Sequence, residues 1–201
     1  MKNVIIEKTY YTIDELKEIN IDGYNTAYYD YVSLQEQYWD EYDAIQTIKK
    51  FLDLFDCDLE YMIYNSVYTD DFKFKSNAFT WLYNEETDED ELLDLDEIDG
   101  GKIKDYIEIK GLYNIIKDYQ ECNLTGHCLD CVVLEPLYEY LFEEKYQDNT
   151  LYDLIYEGLS RALKVIDDDY EYQCSEEAFE EYCWGENLMF DIDGNKEDTY
   201  Y

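Results

Sequence analysis

Apolar residues recur at helical spacing in several stretches of this chain. Tyr38, Tyr42, Ile45, Ile48, Phe51, Leu52 and Phe55 fall on one helical face, and Ser33-Leu34-Gln35-Glu36 ahead of them fits a capping box. The spacing predicts a helix of about five turns behind Ser33. A second stripe, Leu151, Leu154, Ile155, Leu159, Ala162, Leu163 and Ile166, follows Asn149-Thr150, a capping pair. Thr12-Ile13-Asp14-Glu15 is another capping box, predicting a short helix that ends near Gly23, with a further helical stretch over 25–31. Helix is also predicted over 112–121, broken by Cys122-Asn123-Leu124-Thr125-Gly126-His127-Cys128. It resumes over 129–145, where Pro136 would kink it, and Ser175 caps a short helix through Cys183.

The pattern changes over residues 57–83. Stretches 59–68 and 72–83 are rich in β-branched and aromatic residues and flank Thr69-Asp70-Asp71, which predicts two antiparallel strands. Ten of the fifteen positions 85–99 are acidic, which predicts a loop or solvated edge before a flexible Gly100-Gly101. Asp193-Gly194-Asn195 predicts a terminal hairpin. With one proline, no Gly/Ser linker and no repeat, the expected fold is a single α+β domain over 1–201, mostly helical with a small antiparallel sheet. Gly100-Gly101 is its candidate point of sub-division.

Charge changes the picture most. The chain has 51 acids, 15 bases and a net charge of −36, against the roughly 2–8 units that keep a small domain soluble. The excess is even: residues 1–100 carry 26 acids and 7 bases, residues 101–201 carry 25 and 8. Self-repulsion of this size opposes compaction. An 18 % aromatic content with 25 tyrosines sets the chain apart from a disordered acidic tail. Direct binding to nucleic acid or to an anionic membrane is disfavoured, because both need clustered Lys and Arg; the expected partner is a basic protein. The first residues contain no continuous apolar core of a signal peptide, and no stretch approaches about 18 apolar residues. The expectation is a cytoplasmic protein with six reduced cysteines.

Little in the sequence points to catalysis, and no enzyme activity and no cofactor are expected. His127 is the one histidine, and there is no Gly-rich phosphate loop. Cys122, Cys128 and Cys131 could supply part of a zinc site, with Cys174 and Cys183 as candidates to complete it; the competing reading is inert thiols. Asp94-x-Asp96-x-x-Asp99-Gly100 and Asp191-x-Asp193-Gly194-Asn195 resemble calcium loops, but each misplaces the glycine that an EF-hand needs at its sixth position.

What remains is the acid–tyrosine texture. On one helix Glu36, Asp40 and Asp43 would follow a single ridge with neighbours about 5–6 Å apart. Glu85, Glu86, Asp88, Glu89, Asp90, Glu91, Asp94, Asp96, Glu97 and Asp99 form the densest cluster. These thirteen residues are the expected partner-binding set. A net charge of −36 equals that of about 60 Å of duplex DNA. A compact domain of 201 residues has a radius of gyration of about 16–17 Å, so only part of its surface could imitate DNA, or a homodimer would extend it.

The order of several motifs resembles a family of acidic proteins of phages and integrative elements. The segments are Tyr11-Thr12-Ile13-Asp14-Glu15-Leu16, Trp39 onward through Lys49-Lys50-Phe51-Leu52-Asp53-Leu54-Phe55, Cys122-Asn123-Leu124-Thr125-Gly126, Asp169-Tyr170-Glu171-Tyr172 with Ser175, and Phe190-Asp191-Ile192-Asp193-Gly194-Asn195. The resemblance implies a mobile-element origin and carries no activity with it. In composition and size the chain is similar to anti-restriction and anti-CRISPR DNA mimics, which occupy the nucleic-acid channel of a defence enzyme. That likeness implies inhibition of a restriction or CRISPR effector by DNA mimicry. The alternative is an acidic adaptor or assembly factor for a basic protein, with no imitation of DNA.

Overall fold

Thr12 starts the first helix as its capping box predicts: its hydroxyl accepts from Glu15 N–H, and Glu15 reaches back to Thr12 N–H at 2.9 Å. The computed structural model describes residues 9–38, 42–63, 71–76, 80–84 and 89–197. Among these it is mostly helical with a small amount of antiparallel sheet, the expected fold class. The elements are α1 (Ile13–Ile19), α2 (Ile21–Tyr38), α3 (Tyr42–Asp53), β1 (Cys57–Ile63), β2 (Asp71–Ser76), β3 (Thr80–Asn84), β4 (Glu89–Leu93), α4 (Gly101–Ile109), α5 (Tyr113–Lys117), α6 (Leu129–Phe142), α7 (Leu151–Gln173) and α8 (Glu176–Gly185).

The chain divides into two compact units. One is formed by Met1–Trp39 with Asp168–Tyr201, the other by Asp40–Asp167. Gly100-Gly101 lies inside the second.

The first unit is built on aromatic packing. Tyr24 and Tyr31 of α2 are buried with Ile13, Leu16, Phe179, Cys183 and Phe190, and Tyr28 packs against them. The rings of Tyr24, Tyr28 and Tyr31 lie 5.3–5.8 Å from that of Phe179. Their spacing of four and three residues is one helical stripe, and it carries α2 past two expected boundaries. Gly23 lies inside α2 and does not end a helix: a Cβ there would sit 2.4 Å from Ile192 O, so the position serves a close backbone approach. Ser33 lies inside α2 too, and does not cap the next helix.

Of the predicted five-turn helix the structure describes α2 up to Tyr38 and α3 from Tyr42; residues 39–41 lie outside the described ones. The apolar face of α3 is as expected from Ile48 onward, with Ile48, Phe51 and Leu52 buried, as is Phe55 in the turn after the helix; Tyr42 is exposed.

In the second unit β1 pairs antiparallel with β2, from Cys57 opposite Ser76 to Ile63 opposite Asp71. Residues 64–70 between them, including Thr69-Asp70 of the expected connection, lie outside the described residues. The expected second strand is two elements. β3 pairs with β4, with Thr80 opposite Leu93 and Asn84 opposite Glu89. Part of the acidic run expected as a loop or solvated edge is thus the strand β4. Phe72 and Phe74 of β2 stack on Tyr156 and Tyr152 of α7, with centroids 4.6 and 4.7 Å apart. The α7 stripe is buried in full, from Leu151 to Ile166.

α4 was not anticipated, and the predicted helix over 112–121 is α5 followed by a 3-10 turn, Tyr119–Glu121. α6 carries Pro136 in its interior. At the C-terminus Phe190 bridges to Lys196 around the Asp193-Gly194-Asn195 turn and also pairs with Tyr11. Residues 198–201 of the expected hairpin lie outside the described ones.

Candidate functional site: the acidic surface and the cysteine loop

Of the thirteen expected partner-binding residues, Asp40, Glu85, Glu86 and Asp88 lie outside the described residues, and Glu36, Glu89, Asp90 and Glu91 are placed by backbone alone. Of the expected ridge the structure describes the two ends. Glu36 is on α2 in the first unit, whereas Asp43 is in the first turn of α3 in the second. Asp43 is exposed, with its carboxylate 3.5 Å from His127 Nε2.

The stretch containing Asp94, Asp96, Glu97 and Asp99, within the run expected as a loop or solvated edge, is a turn pinned by hydrogen bonds. Leu95 and Ile98 are buried beneath it. Asp94 N–H donates to the Glu97 carboxylate at 3.0 Å, and Leu95 N–H to Asp94 Oδ1 at 2.7 Å. The carbonyls of Ile98 and Leu95 accept from Leu151 and Tyr152 N–H, the first free donors of α7. Asp153 N–H is taken by the Thr150 hydroxyl, completing that helix start. Acids beside a helix N-terminus are electrostatically favoured. Gly100 is held as well, because Tyr140 OH donates to its carbonyl at 2.6 Å. Asp96, Glu97 and Asp99 face solvent on this anchored turn.

A second acidic surface escaped the sequence reading. On the last turns of α7 and on α8, Asp168, Asp169, Glu171, Glu176, Glu177 and Glu181 are exposed, beside exposed Tyr172, Tyr182 and Trp184. The clue was present in the sequence: acids at successive i, i+1 and i+4 positions behind Ser175. Among the described acids only Asp130 and Glu139 are buried.

Among the described residues several bases pair with the chain's own carboxylates. Lys17 binds Glu180 at 2.5 Å and Glu176 at 3.4 Å. Arg161 reaches Glu135, Glu139 and Glu157 at 2.6–2.9 Å, and Lys145 pairs with Glu139. Burial pushes the Glu139 carboxyl up, but Lys145 and Arg161 outweigh it and hold the group below its usual range. Tyrosine hydroxyls take further acid contacts: Tyr24 OH donates to Glu180 at 2.9 Å, and burial followed by that carboxylate raises its pKa. Tyr24 and Tyr140 are thus buried rings with a hydrogen-bonded polar tip.

The cysteine loop is organised by a carboxylate. Asp130 accepts from the N–H groups of Leu124, Thr125 and Gly126 at 2.7–3.1 Å, and from the hydroxyls of Thr125 and Thr47 at 2.7 and 3.2 Å. Burial pushes its pKa up, yet the bonds from Thr125, Gly126 and Leu124 win and the net shift is downward. Successive N–H groups in a turn form an anion-binding nest, and here the chain's own Asp130 fills it.

Cys122 Sγ and Cys131 Sγ are 3.5 Å apart. Cys174 and Cys183, the candidates to complete a zinc site, belong to the first unit, and Cys183 is buried in its core. Among the described residues no three His, Cys, Asp or Glu side chains are grouped to hold a metal. The two calcium-like segments spend acceptors on N–H groups: Asp191 Oδ1 accepts from Asp193, Asn195 and the Asn195 amide at 2.9–3.1 Å, and Asp94 from Leu95. No described helix is long and apolar enough to cross a membrane.

The chain matches no protein-family model, no curated protein and no solved structure.

Proposed function

We propose that this chain is a cytoplasmic anti-defence protein of a phage or other mobile element, which inhibits a DNA-targeting restriction or CRISPR effector by presenting carboxylates where that enzyme holds phosphate. The observation that supports the reading is a set of exposed acids on anchored backbone, Asp96, Glu97 and Asp99, in a chain whose acids far outnumber its bases. The unit of Met1–Trp39 and Asp168–Tyr201 has 19 acids and 4 bases, net −15, and Asp40–Asp167 has 32 and 11, net −21. At one charge per about 1.7 Å, these equal about 25 Å and 36 Å of duplex. Compact units of those lengths are about 29 Å and 36 Å across, from their expected radii of gyration. Each unit thus carries the charge of a duplex segment of its own width. Acids on fixed backbone cost less ordering entropy on docking than acids on a loose loop, which favours Asp96, Glu97 and Asp99 as contacts for a partner's Lys and Arg. Association would be steered by charge and weakened by salt.

The test is affinity capture with the immobilised chain, from extracts of cells that carry restriction and CRISPR systems, followed by elution with duplex DNA. A captured DNA-binding effector that DNA displaces supports mimicry. A captured protein that stays bound under saturating DNA overturns it and leaves the adaptor reading.

A further inference from the structure

We propose that Cys122 and Cys131 are a redox pair that a two-electron oxidant closes to a disulfide, while Cys128 remains a free thiol. Their sulfurs are 3.5 Å apart, in contact and not yet bonded. The loop brings them together by its own construction. Cys122 takes the left-handed conformation, φ 50°, after the 3-10 turn, and Cys131 lies in the first turn of α6. Between them Asp130 gathers the N–H groups of Leu124, Thr125 and Gly126, which folds the chain back on itself. The two thiols are half-buried, whereas Cys128 is exposed.

Hydrogen bonding to Cys131, and then burial, raises the Cys122 thiol to about 11. The chemistry balances with either of two oxidants. Hydrogen peroxide converts one thiolate to a sulfenic acid; the other sulfur attacks it, forms the S–S bond and releases water, so two thiols and one peroxide give one disulfide and two waters. Oxidised glutathione gives the same bond through a mixed disulfide and leaves as two reduced glutathiones.

Closure would brace a loop that already ties to α3. Thr125 Oγ1 lies 2.8 Å from Thr47 Oγ1, and His127 lies 3.5 Å from Asp43. The inference is independent of the proposed function.

The full-length chain, kept native, is treated in separate arms with oxidised glutathione and with hydrogen peroxide, then alkylated. It is digested with a protease that cleaves before Asp residues. Cleavage before Asp130 separates Cys131 from Cys122 and Cys128, so the crosslink appears as two joined peptides lacking two hydrogens. The expected result is Cys131 joined to Cys122, Cys128 alkylated, reversal by dithiothreitol and a melting temperature several degrees higher in the oxidised form. Cys128→Ser should keep the crosslink and Cys131→Ser should lose it. Glutathione carried on Cys128 without a crosslink, Cys131 joined to Cys128, or pairing only after denaturation would each overturn the proposal. The wild-type map decides the question even where a variant does not fold.

Discussion

Asp130 shows how one residue sets a local structure. Its carboxylate collects three backbone donors and two hydroxyls in a buried position, so its negative charge is the centre of the 122–131 loop. Asp130→Asn removes the charge and puts an amide donor among donors; the expected cost is about 3 kcal/mol at neutral pH. The pH dependence follows from the lowered pKa. A carboxyl that is more acidic folded than unfolded adds stability above its unfolded value, about 3.9, and that contribution disappears as pH falls through the folded value. Urea unfolding of wild type and Asp130→Asn across a pH series should give a gap that is full above about pH 4 and closes below it. A gap that does not change with pH would assign the effect to shape and not to charge. The sequence marked this loop through its cysteines and glycine, but the nest was not legible there. An Asp among 51 acids has no mark that sets it inward.

At the scale of elements, glycines and caps had meanings that only neighbouring elements fix. Gly158 is within α7, where a Cβ would lie 2.4 Å from Val133 O of α6. Gly158→Ala gains up to about 1 kcal/mol of helix propensity but must push two backbones apart. The expected net loss is about 1–3 kcal/mol by denaturant unfolding. Gly185 at the end of α8 has nothing within 4 Å of its would-be Cβ, so Gly185→Ala should stay within about 0.5 kcal/mol. Equal effects at the two sites would refute close α6–α7 packing. The capping boxes divide in the same way. Thr12 and Ser175 start helices because no apolar stripe runs through them. Ser33 does not, because Tyr24, Tyr28 and Tyr31 hold α2 against Phe179. The fragment Ser33-Leu34-Gln35-Glu36 is a local signal, and the aromatic stripe outweighs it.

For the whole molecule, repulsion among carboxylates is the term most open to measurement. Among the described residues several bases are spent in pairs, such as Lys17 with Glu180 and Arg161 with three glutamates. The unpaired excess faces water, where added salt screens it over about 10 Å at 0.1 M. The melting temperature should therefore rise between low salt and about 0.3 M NaCl. A flat or falling scan would mean that the acids are already neutralised by partners or bound cations. The same screening should weaken capture of a basic partner, so one salt series moves stability and binding in opposite directions.

The sequence by itself determined the charge, its spread along the chain, the mostly helical class and the elements whose signals are local and undisputed. Those are the Thr12 start, the buried α7 stripe, the β1–β2 pair and the Ser175 start. Each rests on period and capping within a few residues, where backbone geometry alone chooses. Tertiary structure decided how individual acids are held: Glu36 belongs to the first unit and Asp43 to the second, while Asp96, Glu97 and Asp99 were fixed on a turn because Leu95 and Ile98 are buried under it. It also turned part of an acidic run into β4, whose backbone pairs with β3. The reason is that a carboxylate signals only a preference for water, which most of the surface satisfies. The few apolar side chains between the acids, and the backbone groups that need partners, select the place where each acid stands.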